Sequence, residues 1–333
     1  MKCFHSATAL SVVLLALHFF SCKRPELEER LVIHENEAIK LSHPGKVAEE
    51  LLNPASPQIV NDELVFSESG AGTVNKVKDG KVIPLITGFV SDNYGGYNIS
   101  AQGITIDPES GLWIVCAAES EGKLFIYDPK NFPMKASEGR LVQLVGATED
   151  NPWEAILLKK IIIASGGTKK QYSGWFDRVN PVSLFPSFSV ETGLIGIAKH
   201  PVRDEIYGAV FGIPPDGGSI IKWHSPDSVI KNDIQTNYET IASGLRNVVD
   251  VAFTKQGTLL ALEFGQFNES KSGRLLLIDE KTGKSTPIIE GLNSPSSFFI
   301  DEKNNTIYIS EFGVPANKKN GNLISLQFKE VIK

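Results

Sequence analysis

The 333-residue chain has little cysteine, three residues in all, and only two methionines. Cys3 lies near the N-terminus, Cys22 ends an apolar run, and Cys116 stands alone inside LWIVCAA. One thiol in the body of the chain allows no internal disulfide, so an exported domain must rely on its core. Cys116 itself reads as a small core residue rather than a nucleophile. Histidine is scarce as well. Beyond the N-terminal run there are four, His34, His43, His200 and His224. The first two precede the repeats described below. The other two fall at a turn and a strand end away from any expected site, which leaves no histidine base at such a site. There is no Gly-x-Ser-x-Gly elbow, no Cys/His metal spacing and no Walker spacing in the glycine-rich ASGGTKK at 164–170. The formal charge is −6 and no basic stripe is present, so nucleic acid is not an expected partner.

The one long apolar run is N-terminal. Ala7 to Phe20 falls short of the roughly 20 residues a membrane span needs and reads as the core of an export signal. It stops at Cys22, followed by KRPELEER. An apolar run ending at Cys resembles a bacterial lipoprotein signal, which implies cleavage before Cys22 and lipidation of that residue. The expected organisation is a signal at 1–21, a charged tether at 22–30, and a folded domain at 31–333.

What the chain has in abundance is repetition. TLLALEFG (258–265) and TIYISEFG (306–313) place Glu263 and Glu311 in one frame. LVFSESG adds Glu68, LWIVCAA adds Cys116, IIIASGG adds Ser165 and IYGAVFG adds Val210. The anchors 68, 116, 165, 210, 263 and 311 are spaced 48, 49, 45, 53 and 48 apart. Each unit carries a strand before the anchor strand, a glycine-rich loop after it, a third strand such as RLLLID, and a weaker fourth. Four short strands every 40–50 residues predict an all-β fold, a six-bladed β-propeller of four-stranded antiparallel blades, with repeat units over about 53–330. The last unit runs out of chain after NLISLQF, so a segment within Leu31 to Glu49, with RLVIHE as the candidate, is expected to close the ring.

Three stretches resemble the ScyD/ScyE family of secreted propellers, within the broader NHL and SMP-30-like group. These are NPWEAILL (151–158), ETGLIGIAKHPVRDEIYGAVFGIPPDGGSIIKWH (191–224) and LRNVVDVAFTKQGTLLALEFG (245–265). The resemblance implies architecture and export more than chemistry.

Antiparallel order puts the start of each first strand and the end of each second strand on one face. Glu68, Glu263 and Glu311, with Glu154 and Asp250, are therefore expected around one channel mouth, beside Arg246, Asn247 and Trp153. Two readings of the repeated Glu stand open. In one they are ligands of a hard cation such as Ca2+, which takes 6–8 oxygens and which the resemblance to SMP-30-like propellers implies at that mouth. Alternatively they satisfy backbone amides of their own loops. Glu154 and Asp250, where other units have Gly103, Gly196 and Ser297, are the better candidates for ligand or metal contact. Trp113 and Trp223 read as packing between blades; Trp153 and Trp175 lie on or near the mouth face.

The functional expectation is an exported, lipid-anchored, monomeric, non-catalytic module that binds a small molecule, glycan or protein over an acidic mouth, with Ca2+ as candidate cofactor. The alternative is a metal-dependent SMP-30/gluconolactonase-like hydrolase at the same place.

Overall fold

The computed structural model describes residues 30–42, 44–94, 97–106, 111–117, 123–141, 194–212, 217–224 and 238–331. Their regular structure is β-strand with short 3-10 turns. The architecture is an all-β propeller of antiparallel blades, with strands in chain order from the axis outward except in the last blade, whose outer strand comes from the N-terminal segment. Five blades lie in the described residues, and the unit anchored at Ser165 lies outside them. The innermost strands are Pro54–Val60, Ala101–Ile106, Leu194–Lys199, Val248–Phe253 and Pro295–Asp301. The fifth unit shows the plan: Val248–Phe253, Leu259–Glu263, Gly273–Ile278, Ser285–Leu292.

Burial follows distance from the axis. The second strand Leu259–Glu263 is buried along its whole length. The outer strand Glu239–Leu245 exposes four of its seven residues. Hydrophobic side chains of neighbouring blades meet face to face. Leu260, Leu275, Ile289, Phe298, Ile307 and Ile324, from the fifth and sixth units, belong to one core cluster. Trp113 is buried with its ring 4.9 Å from that of Phe132, and Trp223 is fully buried. Both are packing residues, as their strand positions imply.

In each described blade the pairing of first and second strands slips at the same place, between Ala55/Gln58, Ala101/Gly103, Leu194/Gly196, Val248/Asp250 and Pro295/Ser297. A bulge there bends the inner strand and re-aims one residue. It also corrects the repeat frame. Ala117, not Cys116, stands opposite Ala101 as Glu263 stands opposite Val248.

The ring is closed by the N-terminal segment, though not by RLVIHE. The fourth strand of the last blade is Gly45–Leu51, antiparallel to Gly321–Glu330, with Leu51 opposite Gly321. RLVIHE instead lies along the fifth blade, where Val32 faces Glu290. The reason is the connection between blades. A fourth strand leads into the next inner strand through two residues, Arg246-Asn247 after Leu245 and Asn293-Ser294 after Leu292. Leu52-Asn53 before Pro54 is the same link. Only a strand ending at Leu51 can feed the first blade in this way.

A chain beginning at Leu52 would leave Gly321–Glu330 as an unpaired edge. We expect it to lose its cooperative thermal transition and to aggregate, and addition of a peptide spanning residues 38–51 to restore the transition. Calorimetry with size-exclusion chromatography checks this; a cooperative, monomeric truncated chain would contradict the closure.

Candidate functional site

The repeated glutamates form the first layer of the site. Glu68 accepts a hydrogen bond from the Leu52 amide at 2.8 Å, Glu263 from Arg246 at 2.7 Å and Glu311 from Asn293 at 2.8 Å. In each case the next residue has a left-handed backbone, Asn53 at φ 51°, Asn247 at 51° and Ser294 at 48°. Its carbonyl accepts from the residue after the Glu, namely Ser69, Phe264 and Phe312, each at 2.9 Å. The glycine that follows donates back to Leu52, Arg246 or Asn293 at 2.9, 3.4 and 3.2 Å. Gly265 and Gly313 do so at φ 86° and 83°, a region that disfavours other residues. The phrase Glu-Phe-Gly is thus a clasp holding the entry of its own blade. Asn247, expected at a ligand, is buried and donates its Nδ2 to the Gly265 carbonyl at 2.8 Å within this clasp.

Each carboxylate also accepts from the third strand. Asn75 donates to Glu68 at 3.3 Å, Arg274 to Glu263 at 2.5 Å and Asn322 to Glu311 at 3.4 Å. Glu311 also has a cation, Arg30, whose two guanidinium nitrogens lie 2.6 and 2.7 Å from its oxygens. Glu263 and Glu311 are fully buried. Among the described residues no group of three His, Cys, Asp or Glu is placed to hold a metal ion. The described donors alone therefore do not fit a divalent cation. Trp153, Glu154 and Trp175 lie outside the described residues, as does Cys22.

The second layer is the axis. The residue re-aimed by each bulge reaches the next blade. Ser56 Oγ accepts from the Ile104 amide at 3.0 Å, and Asp250 Oδ2 from the Phe298 amide at 3.1 Å. Ser297 Oγ accepts from the Ser56 amide at 2.7 Å, because Pro57, the counterpart of Ile104 and Phe298, has no N–H. Asp250 Oδ1 also accepts from Val251 at 2.9 Å. The carboxylate lies against Gly196, where an added Cβ would come within 2.7 Å of Asp250 Cα. Asp250 thus sits at the axis, as its sequence position implies, and joins two blades there.

Above these residues the mouth is filled. The Asp92–Tyr94 and Tyr97–Ile99 strands form a hairpin between the first and second blades. The Tyr97 ring lies 5.7 Å from Phe264, 5.4 Å from Phe312 and 6.2 Å from Phe267, and Phe211 joins at 5.8 Å from Phe267. Rings from opposite sides of a propeller can meet only over its axis. Tyr97, Phe211, Phe264 and Phe312 are buried, and Tyr97 Oη pairs with Ser294 Oγ at 3.2 Å. Asn317 Oδ1 accepts from the Asn98 amide at 2.6 Å and ties the hairpin to the sixth blade. Among the described residues, the expected acidic mouth carries an aromatic plug over Glu68, Glu263 and Glu311, which are already engaged. Periodicity gave no sign of the hairpin, which lies between repeats.

Beneath the plug runs an axial cavity of about 420 Å3. Ser56, Gly196, Asp250 and Ser297 line one end, and Phe253 and His200 the other. The cavity also reaches Pro201, an exposed residue, so its approach is from the face opposite the plug. Among the described lining residues Asp250 is the carboxylate. His200 is buried, with its ring 4.8 Å from Phe253, and its Nδ1 accepts the Val202 and Arg203 amides at 3.1 and 2.9 Å. Burial, then the Arg203 charge, hold its pKa below the ordinary value.

No protein-family model matches the chain, and no curated protein does. Solved structures do match. A gluconolactonase from Xanthomonas campestris aligns over 92% of this chain and 99% of its own, at 13% identity and TM-score 0.51. A putative oxidoreductase (glucose dehydrogenase) from Thermus thermophilus aligns over 86% and 100%, at 13% identity and TM-score 0.53. A luciferin-regenerating enzyme aligns over 86% and 95%, at 10% identity and TM-score 0.51. What this chain shares with them is the propeller fold.

Two outcomes follow from these contacts. Arg30→Ala leaves the buried Glu311 without its strongest partner and should cost about 3 kcal/mol; Glu311→Gln in the same chain should recover part of it. Denaturant titration of the wild type, Arg30→Ala, Glu311→Gln and the double variant checks the pair, and additive losses would contradict it. For His200 the folded pKa lies below the unfolded value of about 6.5. The neutral ring's contribution is fully present above that value and is lost as pH falls toward the folded pKa. The denaturation midpoint should fall between pH 7 and 5, and fall less in His200→Asn.

Proposed function

We propose that this protein is an exported small-molecule hydrolase of the gluconolactonase type, anchored through a lipid on Cys22, with its substrate in the axial cavity. The observation that carries the reading is the position of Asp250 inside a 420 Å3 cavity. That volume suits a sugar-sized ligand, and the fold is one that a gluconolactonase also uses. A carboxylate held by two backbone amides keeps a fixed orientation and can direct a water at a lactone carbonyl. Glu154, in the equivalent position of the third unit, is the candidate second acid. A divalent cation such as Ca2+ would need oxygens from that unit beyond those of Asp250. Kinship with the ScyD/ScyE propellers, on the three stretches quoted above, remains part of this proposal.

The second reading is the non-catalytic module, favoured by the engagement of all three repeated glutamates in the fold. Hydrolysis of gluconolactone by the purified chain, after chelation and again with Ca2+ restored, separates the two. The hydrolase reading expects turnover that falls about 100-fold or more in Asp250→Asn at a temperature where the variant remains folded. Dependence on Ca2+ would assign a metal to the same place. No turnover of gluconolactone or other sugar lactones, with or without Ca2+, would leave the binding module as the function.

A further inference from the structure

The plugged face also holds Arg30. Arg30 is the first described residue. It donates to the Gly291 carbonyl at 2.9 Å and to Glu311, whose Oε1 also accepts the Asn293 amide. Asn293 in turn holds both loops that flank it. Its side-chain oxygen accepts from the Lys271 amide at 2.8 Å, and its carbonyl from Gly313 at 3.2 Å. Arg30 therefore emerges beside the loops 265–272 and 313–321.

Those loops carry a surface unlike the chain as a whole. The net charge is −6, yet Lys271, Lys318 and Lys319 are exposed on them, with Glu269 as the loops' exposed acid. Arg246 is exposed on the same face. Phe267 stands among them, 45% exposed although its ring touches the plug, and Val90 on this face is 55% exposed. An exposed aromatic side chain on one loop, with exposed lysines on that loop and its neighbour, matches the chemistry of a membrane interface, where the ring enters the headgroup layer and the cations meet anionic lipid. The opposite face also exposes apolar side chains, Val202 and Tyr238. There, however, the charges are mixed and paired, as in Arg203 with Glu205 and Glu280.

Chain length supplies the occupant. From Cys22 to Arg30 is eight residue steps, at most roughly 26–29 Å when fully extended. A short tether that leaves from the plugged face brings that face nearest the lipid whenever the tether is less than fully extended. We propose that the plugged face, through Phe267, Lys271, Lys318 and Lys319, rests on an anionic phospholipid surface. The axial cavity then opens away from the membrane, toward the solvent that brings its substrate. The inference rests on the lipid anchor at Cys22.

The test uses the full-length protein, processed by its own host pathway and reconstituted in vesicles of phosphatidylethanolamine and phosphatidylglycerol carrying a headgroup-level nitroxide. In a Cys116→Ala background, a fluorophore is placed at Gln266→Cys or at Val202→Cys, both exposed positions. Quenching at 266 should exceed that at 202 by about twofold or more. It should fall when Phe267→Ser, Lys318→Glu and Lys319→Glu are combined, while the protein stays with the vesicles. It should also fall when phosphatidylglycerol is replaced by phosphatidylcholine. Equal quenching at the two positions, or stronger quenching at 202, would overturn the orientation even with Cys22 acylated. A mass spectrum showing Cys22 unmodified would remove the anchor, and the proposal with it, while leaving the hydrolase reading to its own assay.

Discussion

The fold depends on how the chain crosses from one blade to the next. Each crossing in the first, fifth and sixth units takes two residues, and the second must adopt a left-handed backbone, at Asn53, Asn247 and Ser294. A non-glycine residue there is tolerated only when its surroundings hold it. The surroundings are the carboxylate of Glu68, Glu263 or Glu311 on one amide, and two amides beyond the Glu on the two carbonyls. Three hydrogen bonds close around two residues. The buried carboxylate would be costly alone, so Arg274 and Arg30 accompany the two that are fully buried.

This clasp positions the candidate site among the described residues. It sets the inner strand just ahead of its bulge, and the bulge turns Ser56, Asp250 and Ser297 toward the neighbouring blade. It also places Phe264 and Phe312 directly after the Glu, where they face the axis and meet Tyr97. The plug and the axial carboxylate are consequences of one local geometry. A carboxylate in the clasp is spent on structure, whereas Asp250, one layer lower and partly exposed, borders the cavity. The chemistry available to this face therefore moves inward from the mouth to the axis.

Much of this was legible in the residues. The strand grammar and the period of the repeats predict the propeller, because four short strands per unit leave few ways to bury their faces. The engagement of the repeated Glu with backbone was one of the two readings that the recurrence allowed, since a role repeated in register suits a repeated loop. Other features were hidden for physical reasons. The closing strand GKVAEEL has weak alternation, whereas RLVIHE looks more strand-like; what decides between them is the two-residue link to Pro54, a constraint of connectivity rather than propensity. The partner of Glu311 is 281 positions away at Arg30, and no local pattern reports such a pair. Tyr97 belongs to no repeat, so periodicity could not place it over the axis. The single-residue slip from Cys116 to Ala117 came from a bulge, which shifts register without leaving a mark in composition.

The electrostatic consequence reverses the first impression of the mouth. Counting carboxylates along the sequence suggests an acidic ring. In the folded chain two of those carboxylates are buried with an arginine each, and all three point into the clasps. What the loops 265–272 and 313–321 present to solvent beyond them is Lys271, Lys318 and Lys319 with Glu269. A surface potential is set by the charges that remain in contact with water, while buried and paired ones largely cancel at a distance of one Debye length, about 8 Å at physiological salt. Loops that pack over buried glutamates can thus still present lysines to solvent.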